Sequence, residues 1–209
     1  MGINSLLDLG GPIVYILLLL SVYALGVILY KLHMFYKVNF FDDRKLSEIL
    51  ELWTSDKKKE AYEEVNKNPN PESEVMSFTM YQLLKHKNIS AKIESDVREE
   101  IHRLSDERIN YYSSKLDSLQ VIATIAPLLG LLGTVFGMIE AFQQMEAAGK
   151  SVDPSILSGG IWEALLTTAA GLSVAIPIVV VESYFRSLVS KFKNNIENGV
   201  TKILTANIS

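Results

Sequence analysis

The chain has 209 residues, 48% of them apolar, with a net charge of −4 and a mean hydropathy of +0.19 that is high for a water-soluble protein. An acidic pI near 5.5 and the lack of a basic, aromatic-rich stripe argue against nucleic acid as the main partner. Without cysteine there are no disulfides, iron–sulfur clusters or Cys-bound zinc, and His33, His86 and His102 lack metal-ligand spacing, so neither a metal nor another cofactor is expected.

Residues 1–30 carry no Lys or Arg and one acid, Asp8, whereas residues 31–118 hold 15 of the 20 bases and 17 of the 24 acids. A bilayer core of roughly 30 Å needs about 20 helical residues. Three windows are long and apolar enough. The first, PIVYILLLLSVYALGVILY over 12–30, has 12 Leu, Ile or Val in 19 residues. No basic stretch precedes it and its apolar run exceeds the roughly 7–15 residues of a signal-peptide core, so it is expected to stay as a spanning helix behind a short outer segment, 1–11.

Residues 31–118 are charged enough to be a water-exposed helical domain. Asn70, Pro71, Glu72 and Glu74 are a helix-start signature for a helix reaching about Lys87. Ile93, Val97, Ile101 and Leu104, then Ile109, Tyr112, Leu116 and Leu119, recur near a 3.6-residue period. No Pro or Gly interrupts them, so one helix is expected to run unbroken into the second span. The Lys57, Lys58, Lys59 run reads as a solvated turn.

The second span covers 119–142, a loop 143–160, the third span 161–185 and a tail 186–209. In the tail Phe185, Leu188, Val189, Phe192, Ile196 and Val200 continue the third helix as an amphipathic one. Lys31, Lys37, Arg44 and Lys45 follow the first span and Arg186, Lys191 and Lys193 the third, while the 143–160 loop holds only Lys150. Bases stay on the cytoplasmic side. The N-terminus and the 143–160 loop are therefore expected outside, the 31–118 domain and the tail inside. The fold class is an all-α integral membrane protein whose second and third spanning helices extend into the cytoplasm.

The second and third spans differ from the first. The second carries Gly130, Gly133 and Gly137 and the third carries Thr167, Thr168, Ala169, Ala170, Gly171, Ser173 and Ala175, the composition of close helix contact in membranes. Tight packing accounts for the glycines. Counting from the outer ends of two antiparallel helices places Thr134 and Thr168 at one depth, Glu140 level with Glu163, Pro127 with Pro177, and Thr124 with Glu182. Two hydroxyls at one depth point to a polar lining, although each threonine alone is also explained by bonding back to its own helix. Pro127 and Pro177 free backbone carbonyls, which is tolerated toward protein or a wet cavity. Glu163, counted from Gly160 as the N-cap, falls in a first turn where the helix dipole welcomes a carboxylate. No acid lies deep in any span, so an ion path would need one from another chain.

IATIAPLLGLLGTVFGMIEAF followed by GGIWEALLTTAAGLSVAIPIVVVESYF resembles the ExbB/TolQ/MotA proton-channel family over about 50 residues, and the opening GGPIVYILLLLSVYALGVILYKL is similar to the first helix of ExbB and TolQ. Three spans rather than four favour that branch, and the GGP opening favours ExbB over TolQ. The resemblance implies a homopentamer in the bacterial inner membrane around a single-span ExbD- or TolR-like partner whose membrane Asp supplies the missing acid. It implies Thr134 and Thr168 as pore hydroxyls, with Thr167 beside them, Glu163 as a polar group at the outer mouth, and Pro127 and Pro177 as kinks. Glu140 departs from the Asn or His of familiar members; an acidic ring there would attract cations. The activity implied is a proton-driven motor, not an enzyme, that energises a TonB-like or TolA-like periplasmic protein. The rival is a passive membrane scaffold in which the threonines only pack.

Overall fold

The computed structural model describes residues 11–37, 44–67, 70–85, 91–148 and 154–206, and every element among them is helical. In chain order these are α1 (Gly11–Lys37), α2 (Arg44–Thr54), α3 (Lys58–Lys67), α4 (Pro71–Lys85), α5 (Ala91–Ser113), α6 (Leu116–Ala148) and α7 (Pro154–Thr205). The chain divides into two compact units, Met1–Tyr30 with Lys115–Tyr184, and Lys31–Ser114 with Phe185–Ser209.

The first unit holds the apolar stretches of α1, α6 and α7, and the three helices are each long and apolar enough to cross a membrane. Ile13 and Leu17, one turn apart on α1, are buried with Ala126 of α6 and Ala175 of α7. Small residues on the last two let α1 approach. Up to Tyr30 the rest of α1 is apolar apart from Ser21, with Leu19 68% and Val22 60% exposed. A helix apolar all round is a buried or spanning one, since water would penalise those faces.

The second unit is an amphipathic bundle. Leu46, Ile49, Leu50 and Trp53 of α2, Ala61 and Val65 of α3, Met76 and Met80 of α4 and Ile203 of α7 form its core. Trp53 Nε1 donates to the Ile203 carbonyl at 3.1 Å, which serves one of the orphan acceptors at the end of α7. A second group stacks Phe35 on Tyr112, with ring centroids 6.2 Å apart, and sets Phe185 and Phe192 against the same pair. The buried periodicity of the tail, Phe185, Val189, Phe192, Ile196 and Ile203, matches one face of a helix. Asn70 caps α4: its Oδ1 accepts the Ser73 N–H at 2.6 Å. The helix is described to Lys85, so the expected end near Lys87 lies outside the described residues.

Four local expectations need correction. The helix expected to run unbroken to the second span stops at Ser113 and restarts at Leu116, with Lys115 at φ +64°. A non-glycine residue there costs about 1–2 kcal/mol, so other contacts hold the break. The turn lies at Ser55–Asp56, before the Lys57–Lys59 run; Lys58 opens α3 and places its ammonium 5.8 Å from the centre of the Trp53 ring, a cation–π contact. The 143–160 segment is helical at both ends, to Ala148 and from Pro154. Pro154 suits a first helical position, where no N–H is needed. Gly160 is accordingly inside α7 and not its N-cap, because it packs on Ala141 instead of ending the helix.

Candidate functional site: the α6–α7 seam

Within the first unit α6 and α7 run antiparallel with backbones in contact. A Cβ added at Gly130 would come within 2.8 Å of the Thr167 carbonyl oxygen and 3.0 Å of Thr168 Cα. One at Gly171 would meet the Ala126 carbonyl at 2.5 Å, and one at Gly137 the Ala164 Cβ at 3.1 Å. Gly133 lies against the Thr167 side chain and Gly160 against Ala141. Only glycine fits at Gly130 and Gly171, where the obstacle is backbone.

Closeness brings hydroxyls onto backbone acceptors of the neighbouring helix. Thr167 Oγ1 lies 3.1 Å from the Gly130 carbonyl oxygen and 2.7 Å from that of Ala164, while Thr168 Oγ1 donates to Gly130 at 3.2 Å. Thr134 Oγ1 donates to Leu131 at 2.6 Å and Ser173 to Ala169 at 2.7 Å. A hydroxyl has one hydrogen and two lone pairs. Each of these spends its hydrogen on a carbonyl, so what it offers outward is an acceptor, suited to a hydrogen-bond donor or a hydrated cation.

The contacts set Thr168 beside Gly130, one helical turn, about 6 Å, from Thr134, so the two hydroxyls expected at one depth are staggered, because the seam registers Gly130 and not Thr134 against Thr168. Thr134 and Thr168 are both half-buried. Thr167, expected with them in the lining, is only 4% exposed and sits in the seam itself, because Gly133 opposite leaves room for its side chain. Its role in the single chain is to tie α7 to α6. Glu140 is exposed, with Gln144 Nε2 reaching it at 3.4 Å, and Glu163 is half-buried. Since α7 begins at Pro154, Glu163 is no first-turn residue and the helix dipole does not account for it. Pro127 is half-buried and Pro177 exposed, each inside a helix that continues through it. Lacking an N–H, they leave the Ala123 and Ser173 carbonyls without their usual donors. Among the described residues no three His, Cys, Asp or Glu side chains are grouped to hold a metal ion.

Sequence reasoning missed two features. The Gly130 carbonyl is a backbone group, and no side-chain pattern announces an acceptor. Lys31, taken as one of the bases marking the inner boundary, is fully buried in the second unit, its Nζ donating to the Tyr112 carbonyl at 2.8 Å.

Residues 68–198, which include the seam, match the sequence model of the MotA/TolQ/ExbB proton channel family. An ExbB homologue in biopolymer transport from Methanothermobacter thermautotrophicus is 29% identical over 189 residues, 90% of this chain and 64% of that protein. The biopolymer transport protein ExbB of Pseudomonas putida is 30% identical over 77% of this chain and 49% of its own, and the Tol-Pal system protein TolQ of Haemophilus influenzae is 30% identical over 48% and 43%. The chain thus spans less than two thirds of the length of these relatives.

Proposed function

The chain belongs to the MotA/TolQ/ExbB proton channel family, and on that premise we propose that it is the pore-forming subunit of an ion-driven motor of biopolymer transport, closer to ExbB than to TolQ. The observation that carries the reading is the seam: threonine hydroxyls with outward lone pairs at Thr134 and Thr168, on helices with no acid at mid-depth, inside the segment that matches the family. A lining of acceptors without a proton carrier calls for a carrier from elsewhere. In this reading five copies surround a single-span ExbD- or TolR-like partner whose membrane carboxyl takes up and releases the proton. Thr134 and Thr168 accept from the protonated group or its waters, Glu163 and Glu140 gather cations at the outer mouth, and Thr167 holds the seam rigid. The partner would pass the motion to a TonB-like or TolA-like protein, with the chain in the inner membrane, its N-terminus outside and its tail in the cytoplasm. Each elementary charge moved through 100 mV releases about 2.3 kcal/mol, so a few protons suffice for a conformational step.

The scaffold reading draws on Thr167, whose hydroxyl is buried in the seam between the Gly130 carbonyl of α6 and the Ala164 carbonyl of its own helix. Liposomes holding the chain with its short single-span partner separate the two readings. Proton influx on imposing a potential supports the motor, and tight vesicles with a correctly assembled complex would favour the scaffold.

A further inference from the structure

Within the first unit the packing fixes how deep each apolar helix sits. Leu17 of α1 is buried with Ala126 of α6, and a Cβ at Gly171 of α7 would meet the Ala126 carbonyl, so these three residues mark one level across the helices. Depth along each helix then follows at about 1.5 Å per residue. Toward the Lys115 end, Tyr30 and Tyr184 each stand 13 residues from that level, about 20 Å, and both are exposed. The Tyr30 ring lies 4.7 Å from the Lys115 ammonium, also of this unit, in agreement with that register. At this end the helices finish flush, each with a tyrosine of the kind that sits among lipid headgroups.

The opposite end is a step. The α6–α7 seam runs on from Ala126 to Ala141, against which Gly160 packs, and Trp162 is exposed nine residues from the common level, about 13 Å. On α1 the outermost exposed aromatic is Tyr15, two residues from the level, about 3 Å, and the helix begins at Gly11, about 9 Å from it. Gly11 has φ +57°, a value that no right-handed helix passes through. Between its aromatic anchors α1 thus covers about 22 Å and α7 about 33 Å, on either side of the roughly 30 Å of an ordinary bilayer core. Sliding cannot remove the difference, because Ile13 and Leu17 are locked onto Ala126 and Ala175. Nor does either helix gain by leaving the lipid: Ile139, Phe142 and Trp162 at the far end of the hairpin and Leu19 and Val22 on α1 are all exposed and apolar, and water would penalise them.

We infer that the bilayer meets this chain at two heights, flush at the Lys115 end but about 10 Å lower beside α1 than beside the α6–α7 hairpin at the Gly11 end, so that α1 takes phospholipid from a locally thinned leaflet. The partner is a lipid surface with a hydrocarbon core of about 22 Å on the α1 side. A helix shorter than the surrounding hydrocarbon draws the bilayer thin at a modest cost per ångström, and the longer hairpin holds it thick a helix diameter away. The inference rests on the three spans lying in a bilayer; it needs neither an orientation nor an ion.

The test uses the absence of cysteine from the chain, which lets single-cysteine variants report one site each. The full chain carrying a nitroxide at Y15C, L29C, W162C or Y184C is placed in phosphatidylcholine nanodiscs, and depth is read from relaxation by oxygen against relaxation by a water-soluble nickel chelate. All four sites should lie within about one helical turn, ~5 Å, of the phosphate level. Site 15 reading about 10 Å deeper than site 162 would mean a flat bilayer and overturn the inference. Site 162 standing about 10 Å out in water while site 15 is at the phosphates would overturn it as well, since the hairpin would then project from a flat bilayer. If Y15C fails to assemble, I16C, exposed and one residue deeper, takes its place. In lipids of longer acyl chain both sites should stay at the phosphates, because the lipid follows the protein; site 15 sinking as the chains lengthen would overturn the thinning.

Discussion

The Thr168 hydroxyl donates to the Gly130 carbonyl of the neighbouring helix at 3.2 Å, and this is possible only because position 130 has no side chain. A Cβ there would drive the helices apart through the Thr167 backbone and carry the Thr168 hydroxyl out of reach. Packing and polarity are therefore one device in this seam: glycines set the distance at which threonines on one helix are held by carbonyls on the other. Hydrogens so committed leave the hydroxyl oxygens as acceptors.

The hydroxyls should rank by chemistry and not by size. Thr134→Val and Thr168→Val keep shape but lose the acceptor, and we expect proton flux to fall about tenfold or more, the equivalent of about 1.4 kcal/mol. Assembly should survive, since one interhelical hydrogen bond in a membrane is worth about 0.6–2 kcal/mol. Thr134→Ser and Thr168→Ser should retain most of the flux. Full flux in both valine variants with poor function of the serine ones would assign the threonines to packing.

The glycines should rank by what opposes a methyl. Gly171→Ala meets the Ala126 carbonyl and is expected to cost about 1–3 kcal/mol as overpacking. Gly137→Ala meets the Ala164 Cβ at 3.1 Å, a wider clearance, and should cost less, with Ala164→Gly relieving part of the loss. Gly26, around which a Cβ meets nothing within 4 Å, should accept alanine with no loss or a small gain. Thermal unfolding in mild detergent reads the order, and equal losses at all three positions would refute it.

In the second unit Trp53→Phe removes the indole N–H that donates to the Ile203 carbonyl from a fully buried ring. We expect a loss of about 1–3 kcal/mol in stability by denaturant titration. An unchanged midpoint would mean that water reaches this carbonyl.

Alkaline pH should weaken the bundle through Tyr112. Burial pushes its phenol above the ordinary tyrosine value, and the nearby Tyr111 adds to the rise while Arg108 opposes it. The folded state thus favours the neutral form. The contribution is complete below the unfolded value of about 10 and is lost as pH rises through the higher folded one. Stability measured from pH 9 to 12 should fall more steeply for the parent than for Tyr112→Phe, which keeps the ring contacts; identical slopes would contradict this.

Orientation is tested by reporters active only in the periplasm. One inserted after Val152 should work and one fused after Ser209 should fail, because the bases cluster after the first and third spans. The opposite pattern would reverse the topology.

The three apolar spans, the Asn70–Pro71 helix start and the buried stripe of the tail were legible in the sequence, because length, capping chemistry and a 3.6-residue period are properties of a single strand of text. So was the pairing of a glycine-rich with a threonine-rich helix. What the chain alone could not reveal depends on partners distant in sequence. The Gly130 carbonyl becomes a site only when Thr167 and Thr168, 37 and 38 residues on, are brought against it. Lys31, 81 residues before Tyr112, is fully buried with its ammonium on that residue's carbonyl, a pairing that no local pattern announces. Propensity decides an element from near neighbours in the chain. Tertiary contact decides which distant backbone groups a buried side chain reaches.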